Sequence, residues 1–200
     1  MKINDQYKIA DYYPVAVGNT WTYIDDKNKV LSQTVSEIVH LGDVTIEKFV
    51  TTEGKTVYVR GNEGLNAFKI RMKAVELSYA PPISMSPQHV STNENHSYHS
   101  RVTMKIMGMK FNLGYLSGTT ILKGEEDIAV PAGNFNKCLR FESEASQKVL
   151  FFNIQSKLTV WFAWDTGGIR YDSVTKFAGM TFKGQQVLTH AKLGNRSLPV

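Results

Sequence analysis

Cysteine is almost absent: Cys138 is the only one in 200 residues, which excludes an internal disulfide and any zinc cage built from cysteines. It lies in "NKCLRFE" between strand-forming residues, where a free thiol packs as a small inert hydrophobe. Long apolar runs are missing too, since no stretch of about 18 residues has the composition of a transmembrane helix. The start, "MKINDQYKIADYY", has no apolar core of the kind a signal peptide needs, so an exported form implies a leader removed ahead of Met1. Charge of one sign is not concentrated. The 23 basic and 18 acidic residues leave a formal +5 spread along the chain, and the densest basic piece, "KIRMK" at 69–73, is too thin for a nucleic-acid footprint. No Gly-x-Ser-x-Gly elbow is present, and no Gly-rich loop opens a helix to cradle phosphate. Glu125, Glu126 and Asp127 form the only acidic cluster, and adjacent acids at a strand approach read as a solvated turn, because an acid/base pair needs environments that push its two pKa values apart. The sequence thus calls for no cofactor and no metal, and points to a non-enzymatic protein.

What is present is β-sheet. A chain of this length buries roughly 70% of the surface its unfolded form exposes, enough for one full core. β-Branched and aromatic residues recur in short runs broken every 8 to 12 positions or so by Gly, Asn or Asp, the spacing of an antiparallel meander. Turns are expected at "DDKNK" (25–29), "LGD" (41–43), "TEGK" (52–55), "GNEG" (61–64), "MGMK" (107–110), "PAGN" (131–134), "DTGG" (165–168) and "KGQ" (183–185). Period-two alternation is cleanest at 98–106, with Tyr98, Val102, Met104 and Ile106 on one face and His99, Arg101, Thr103 and Lys105 on the other. Phe68, Ile70 and Met72 are likewise set opposite Ala67, Lys69 and Arg71. In 158–164, Leu158, Val160, Phe162 and Trp164 face one way and Trp161 and Ala163 the other, so both faces are apolar and the strand is central or covered. Residues 31–39 have helical spacing but are rich in β-branched side chains and read as a strand. "YAPPISMSPQHVSTNENHS", 79–97, with three prolines, reads as a long loop or covering strap.

The opening "YYPVAVGNTWTY" (12–23) has a direct physical reading. Pro14 fixes an extended approach, Gly18 and Asn19 suit a turn, and Trp21 and Tyr23 fall on one face of the first strand, capping one end of the core. Together with "VPAGNFNKCLRFE" (130–142) and "VWFAWDTGGIRYDS" (160–173), it resembles a group of exported bacterial proteins, often lipoproteins, that share an aromatic-Pro-x-x-x-Gly-Asn-x-Trp-x-Tyr opening, a Val-Pro-Ala-Gly-x-Phe-x-x-Cys step and a Trp-aromatic-Ala-x-x-x-Gly hairpin. That group closes its hairpin with Ala-Pro-Gly-Val-Gly, whereas here Trp164, Asp165 and Thr166 precede Gly167 and Gly168. The resemblance implies a periplasmic or outer-membrane-anchored location and a strongly bent antiparallel sheet, similar to the half-barrels that carry lipoproteins or lipids. It implies no catalytic residue.

His96 and His99 would point to opposite faces of a strand and lack a third ligand with zinc spacing. Met104, Met107 and Met109, with Met85 upstream, offer soft sulfur that more often fills gaps or lines an adaptable apolar surface than binds copper. A bent sheet that closes incompletely leaves an apolar concave face needing a strap, a partner or a ligand. The expectation is therefore an all-β, half-barrel-like single domain that holds an apolar ligand, lipid or acylated partner on Met104, Met107, Met109, Trp161 and Trp164. The rival is an interaction module that docks onto another envelope protein without a small ligand.

Overall fold

The computed structural model describes residues 2–3, 6–60, 64–149 and 151–198. Sixteen strands follow in order: β1 (Lys2–Ile3), β2 (Gln6–Lys8), β3 (Thr20–Asp25), β4 (Val30–Leu41), β5 (Val44–Thr51), β6 (Lys55–Arg60), β7 (Gly64–Met72), β8 (Val75–Pro87), β9 (His89–Ser91), β10 (Asn95–Ile106), β11 (Met109–Val130), β12 (Gly133–Val149), β13 (Phe152–Ala163), β14 (Gly167–Phe177), β15 (Met180–Leu193) and β16 (Arg196–Leu198). Helix among the described residues is limited to the 3-10 turn Ile9–Asp11. The expected turns fall between strands, except that positions 61–63 of "GNEG" lie outside the described residues and "KGQ" lies within β15. The segment with helical spacing, 31–39, is inside β4.

The sheet is all antiparallel, as the alternation requires, and the bend expected of it is carried through to full closure, of which half-barrel is the coarser description. Twelve strands run β14-β13-β12-β11-β10-β8-β7-β6-β5-β4-β3-β15, and β14 pairs again with β15, so the ring closes. Closure rests on β15, whose residues 180–187 pair with β14 and whose residues 186–192 pair with β3. Hydrogen bonding between the ends of the chain removes the free edges that a half-barrel would leave. A small sheet, β1-β2-β9, stands apart from the ring.

The segment expected as a strap is mostly strand. Residues 75–87 form β8, flanked by β7 and β10. Pro81 and Pro82 fit there because the β10 ladder ends at Ala80 and the β7 ladder skips from Ser78 to Ile83 at a bulge; proline is tolerated where no ladder hydrogen bond is asked of its nitrogen. The same bulge shifts the faces of β7. Leu65 and Ala67 face inward before it and Ile70 after it, so the strict alternation expected for 67–72 fails at one added residue.

The barrel is apolar inside and polar outside. Inward positions include Phe49, Val59, Phe141 and Val160, whereas outward neighbours on β12 and β13 include Glu142, Glu144, Lys157 and Thr159. A membrane-spanning barrel has the reverse arrangement. No helix of the described residues is long and apolar enough to cross a membrane.

Candidate functional site

One end of the barrel is closed by the three stretches singled out in the sequence. Trp21 and Tyr23 of β3 are both buried. The Trp21 indole Nε1 donates to the Thr166 carbonyl at 2.6 Å, and the Tyr23 hydroxyl donates to the Gly168 carbonyl at 2.9 Å, tying the opening motif to the β13–β14 turn. Asn19, also buried, donates to the Pro14 carbonyl at 3.0 Å and accepts from the Gly194 amide at 2.9 Å. The "PAGN" turn joins them as the Ala132 amide donates to the Leu188 carbonyl at 3.0 Å. Tyr7, Ile9, Tyr12 and Val90, from the small sheet and the 3-10 turn, belong to the same buried cluster.

Gly167 and Gly168 are required by this junction. Gly167 has φ +105, and a Cβ there would lie 2.8 Å from Trp21 Nε1; at Gly168 a Cβ would lie 1.9 Å from the Tyr171 hydroxyl. Gly167→Ala is accordingly expected to destabilise by about 1–3 kcal/mol from backbone strain alone, measured by urea denaturation. A midpoint equal to wild type would show that the turn tolerates a side chain.

Tyr13 enters the barrel and forms its floor. Its ring stacks on Trp21 at 5.9 Å with an interplanar angle of 3°, and meets Phe49 at 5.8 Å and Phe162 at 5.9 Å. Burial, followed by the nearby Tyr171 and Glu47, holds the Tyr13 phenol well above its ordinary pKa, with a hydrogen bond to Gln33 acting the other way. Tyr12, behind it, is pushed up to about 12 by burial and then by Glu125. These phenols stay neutral at physiological pH and act as aromatic walls with a polar tip.

Beyond this floor lies a cavity of about 400 Å³. Its wall is largely aliphatic and aromatic, from Val57, Leu65, Ile70, Ile83, Val160 and Phe162. Several of its polar groups are paired: Thr120 Oγ1 donates to Ser143 Oγ at 3.2 Å, Tyr98 shares a hydrogen bond with Ser143, and Tyr171 shares one with Tyr23. Lys55 and Leu158 also line it. Lys55 opens β6 directly after the β5–β6 turn, and Leu158 is 37% exposed, so the cavity opens at the end of the barrel opposite the Trp21 junction. A wall that is mainly apolar, with several of its polar groups already paired, suits a hydrophobic guest.

None of Met104, Met107, Met109, Trp161 and Trp164 is among the side chains lining this cavity. Met104 comes nearest. Ile70 pairs across strands with Leu77, and Leu77 with Met104, which places Met104 on the inner face two strands along. Met109 and Met107 are at the β10–β11 hairpin tip and exposed. Trp161 lies on the outer face, opposite in direction to Val160 and Phe162, yet it is buried. The Arg140 and Arg170 guanidinium carbons stand 5.8 and 4.8 Å from its ring centroid, and its Nε1 donates to Glu126 Oε2 at 2.8 Å. Trp164 is in the turn after β13, half exposed, edge-on to Tyr12 at 5.3 Å. Tyr13, Phe49 and most of the β6–β8 wall were missed by sequence reasoning, although Met85, singled out beside the other methionines, does line the cavity. Leu158, Val160 and Phe162 were visible in it as one face, and that face is the cavity wall.

Cys138 is buried, and burial, with Asp127 close by, pushes its thiol up to about 11, which keeps it protonated and shielded at physiological pH. His96 and His99 part to opposite faces; His99 stacks on Tyr115 at 4.7 Å and hydrogen-bonds Ser117 at 2.7 Å. Among the described residues no cluster of His, Cys, Asp or Glu could hold a metal ion.

The sequence matches no protein-family model and no curated protein. Two solved structures resemble the fold. One, from Bacteroides fragilis, is provisionally named an exported protein with a YmcC-like fold; it superposes with a TM-score of 0.52 at 14% identity over 90% of this chain and 98% of that one. The other, provisionally named a lipoprotein, is from Parabacteroides distasonis, with a TM-score of 0.49 at 14% identity and the same coverage. At such identity the likeness to the Bacteroides fragilis protein establishes the fold alone.

Proposed function

We propose that this is a non-enzymatic cell-envelope protein whose closed barrel takes an apolar ligand, a lipid acyl chain or the acyl group of a modified partner. The observation that carries this reading is the cavity of about 400 Å³, apolar, floored by Tyr13 and open at the hairpin end. Its size lies within the range of small-molecule sites, roughly 300–1,000 Å³. The likeness in fold to a protein provisionally named as exported supports the envelope location.

A fluorescent fatty acid should bind the wild-type protein saturably. Leu158→Glu places a carboxylate at the mouth, and because Leu158 is partly exposed the variant should stay folded with a near-normal melting temperature. The desolvation cost of that carboxylate against an alkyl chain should weaken probe binding by about tenfold or more. Folded wild-type protein that binds no apolar probe would overturn the carrier reading and leave the interaction module in its place.

A further inference from the structure

In a closed antiparallel barrel, alternate hairpins share an end. The tips of β7–β8, β10–β11, β12–β13 and β14–β15 therefore stand together at the end opposite the Trp21 junction, and they are neighbours around the ring. These tips are unlike ordinary turns. They expose Met72, Met107, Met109, Phe151, Phe152 and Met180, with Phe151 94% and Met107 84% accessible. Large apolar side chains this exposed are not core; the register sets the β7–β8 tip level with the β10–β11 tip and the β12–β13 tip level with the β14–β15 tip, so they lie in two adjoining pairs at this end.

Each tip also carries lysine: Lys73 on the first, Lys105 and Lys110 on the second, Lys148 on the third, Lys176 on the fourth. Among the described residues none of them stands within ion-pair distance of an acid, although Lys105 lies across the strands from Glu76 and helps to lower its pKa. The acid of this arc, Glu76, is engaged by Arg71 at 2.7 Å and Lys69 at 3.8 Å. The β3–β4 and β5–β6 tips differ, with Asp25, Asp26 and Glu53 present and Lys29 paired to Glu53. The apolar tips and the unpaired positive charge thus coincide on the same arc of the rim.

We infer that this arc docks on an anionic lipid surface, with the Met and Phe tips entering the headgroup–acyl boundary and the lysines meeting lipid phosphates. Charge complementarity selects the occupant: basic residues flanking apolar ones are the composition of interfacial membrane anchors. The geometry also suits lipid better than a flat protein partner, because the apolar groups sit on separate hairpin ends. A hairpin tip can insert its side chains while its turn backbone stays hydrated at headgroup depth, which satisfies the rule that irregular backbone avoids the hydrocarbon region. The inference stands on the rim alone and does not require a guest in the cavity, although docking in this orientation would turn the cavity mouth toward the bilayer.

Co-sedimentation of the full chain with vesicles tests it. Binding is expected to vesicles of equal parts phosphatidylcholine and phosphatidylglycerol, weakening as salt is raised, with little binding to phosphatidylcholine alone. Lys110→Gln with Lys148→Gln should reduce the affinity by on the order of tenfold or more, at about 1 kcal/mol per lysine. Met107→Asp with Phe151→Asp should abolish binding, and both positions are so exposed that the fold should be unaffected, as circular dichroism will confirm. Ile83→Gln, an uncharged polar change on the cavity wall away from the rim, should weaken fatty-acid binding and leave vesicle binding unchanged, so failure here is separable from failure of the carrier reading. Absence of wild-type binding at low salt, or full binding by the Met107→Asp, Phe151→Asp variant, would overturn the proposal. So would concentration-dependent self-association that this variant abolishes, because the arc would then be an interface between copies.

Discussion

Replacing Trp21 with alanine is expected to destabilise the protein by about 3–5 kcal/mol, a large part of the 5–15 kcal/mol or so that holds a typical domain together. Trp21 is 1% exposed, stacks on Tyr13, contacts Phe49, and donates its indole proton to the Thr166 carbonyl. The alanine variant would lose that packing, leave the Thr166 carbonyl unpaired, and free Tyr13 to leave the barrel floor. Its consequence should therefore exceed that of a single core truncation: the melting temperature should fall sharply, and fatty-acid binding should weaken in any variant that still folds at low temperature. Trp21→Phe, which keeps an aromatic ring but loses the donor and the rest of the indole, should recover part of the stability. A melting temperature for Trp21→Ala within a few degrees of wild type would mean that the opening motif is not what closes the barrel.

The second large effect concerns a buried acid. Glu47 lies on the inner face of β5, two residues from Phe49, and its cross-strand partner is Val59 of the cavity wall. It is buried, its Oε2 accepts no hydrogen bond among the described residues, and burial raises its pKa from the ordinary 4.5 to about 7. Between these values the folded protein holds a proton that the unfolded chain has released, so stability falls as pH rises from about 4.5 to about 7 and is level above that. Glu47→Gln should remove this decline and raise stability at pH 8 by about 1–3 kcal/mol, because a tenfold change in proton affinity on folding corresponds to at most about 1.4 kcal/mol. Urea unfolding of both proteins at pH 5 and pH 8 gives the answer. Glu76 does not confuse it, because the Arg71 hydrogen bond lowers its pKa and its contribution is lost only at more acid pH. If the gap between Glu47→Gln and wild type were the same at both pH values, Glu47 would be ionised throughout.

The sequence by itself determined the class of structure and the residues that close it. Alternation at 98–106, turn residues between the runs and the lack of long amphipathic helix require an antiparallel sheet, because side chains two apart on a strand share a face whatever the strand pairs with. The buried pair Trp21 and Tyr23 was legible for the same local reason, and so was the face made by Leu158, Val160 and Phe162.

Tertiary structure decided everything that depends on pairing distant segments. The ring closes because β15 pairs with β3 at the other end of the chain, and no local pattern separates a bent sheet from a closed one when the same inner residues are apolar in both. The prolines at 81 and 82 looked like a loop because the sequence does not reveal that the ladders on either side of β8 break at that point. A bulge in β7 moved Ile70 to the face of Ala67, since one extra residue reverses the parity on which a strand reading rests. The methionines and tryptophans chosen from their chemistry were scattered by the same cause. Trp161 went outward between two arginines, Met107 and Met109 went to the rim, and of the methionines singled out only Met85 lines the cavity, beside Tyr13, Phe49 and other aromatic and aliphatic residues from many strands, because an enclosed site is defined by which strands meet around it and not by the residues of any one strand.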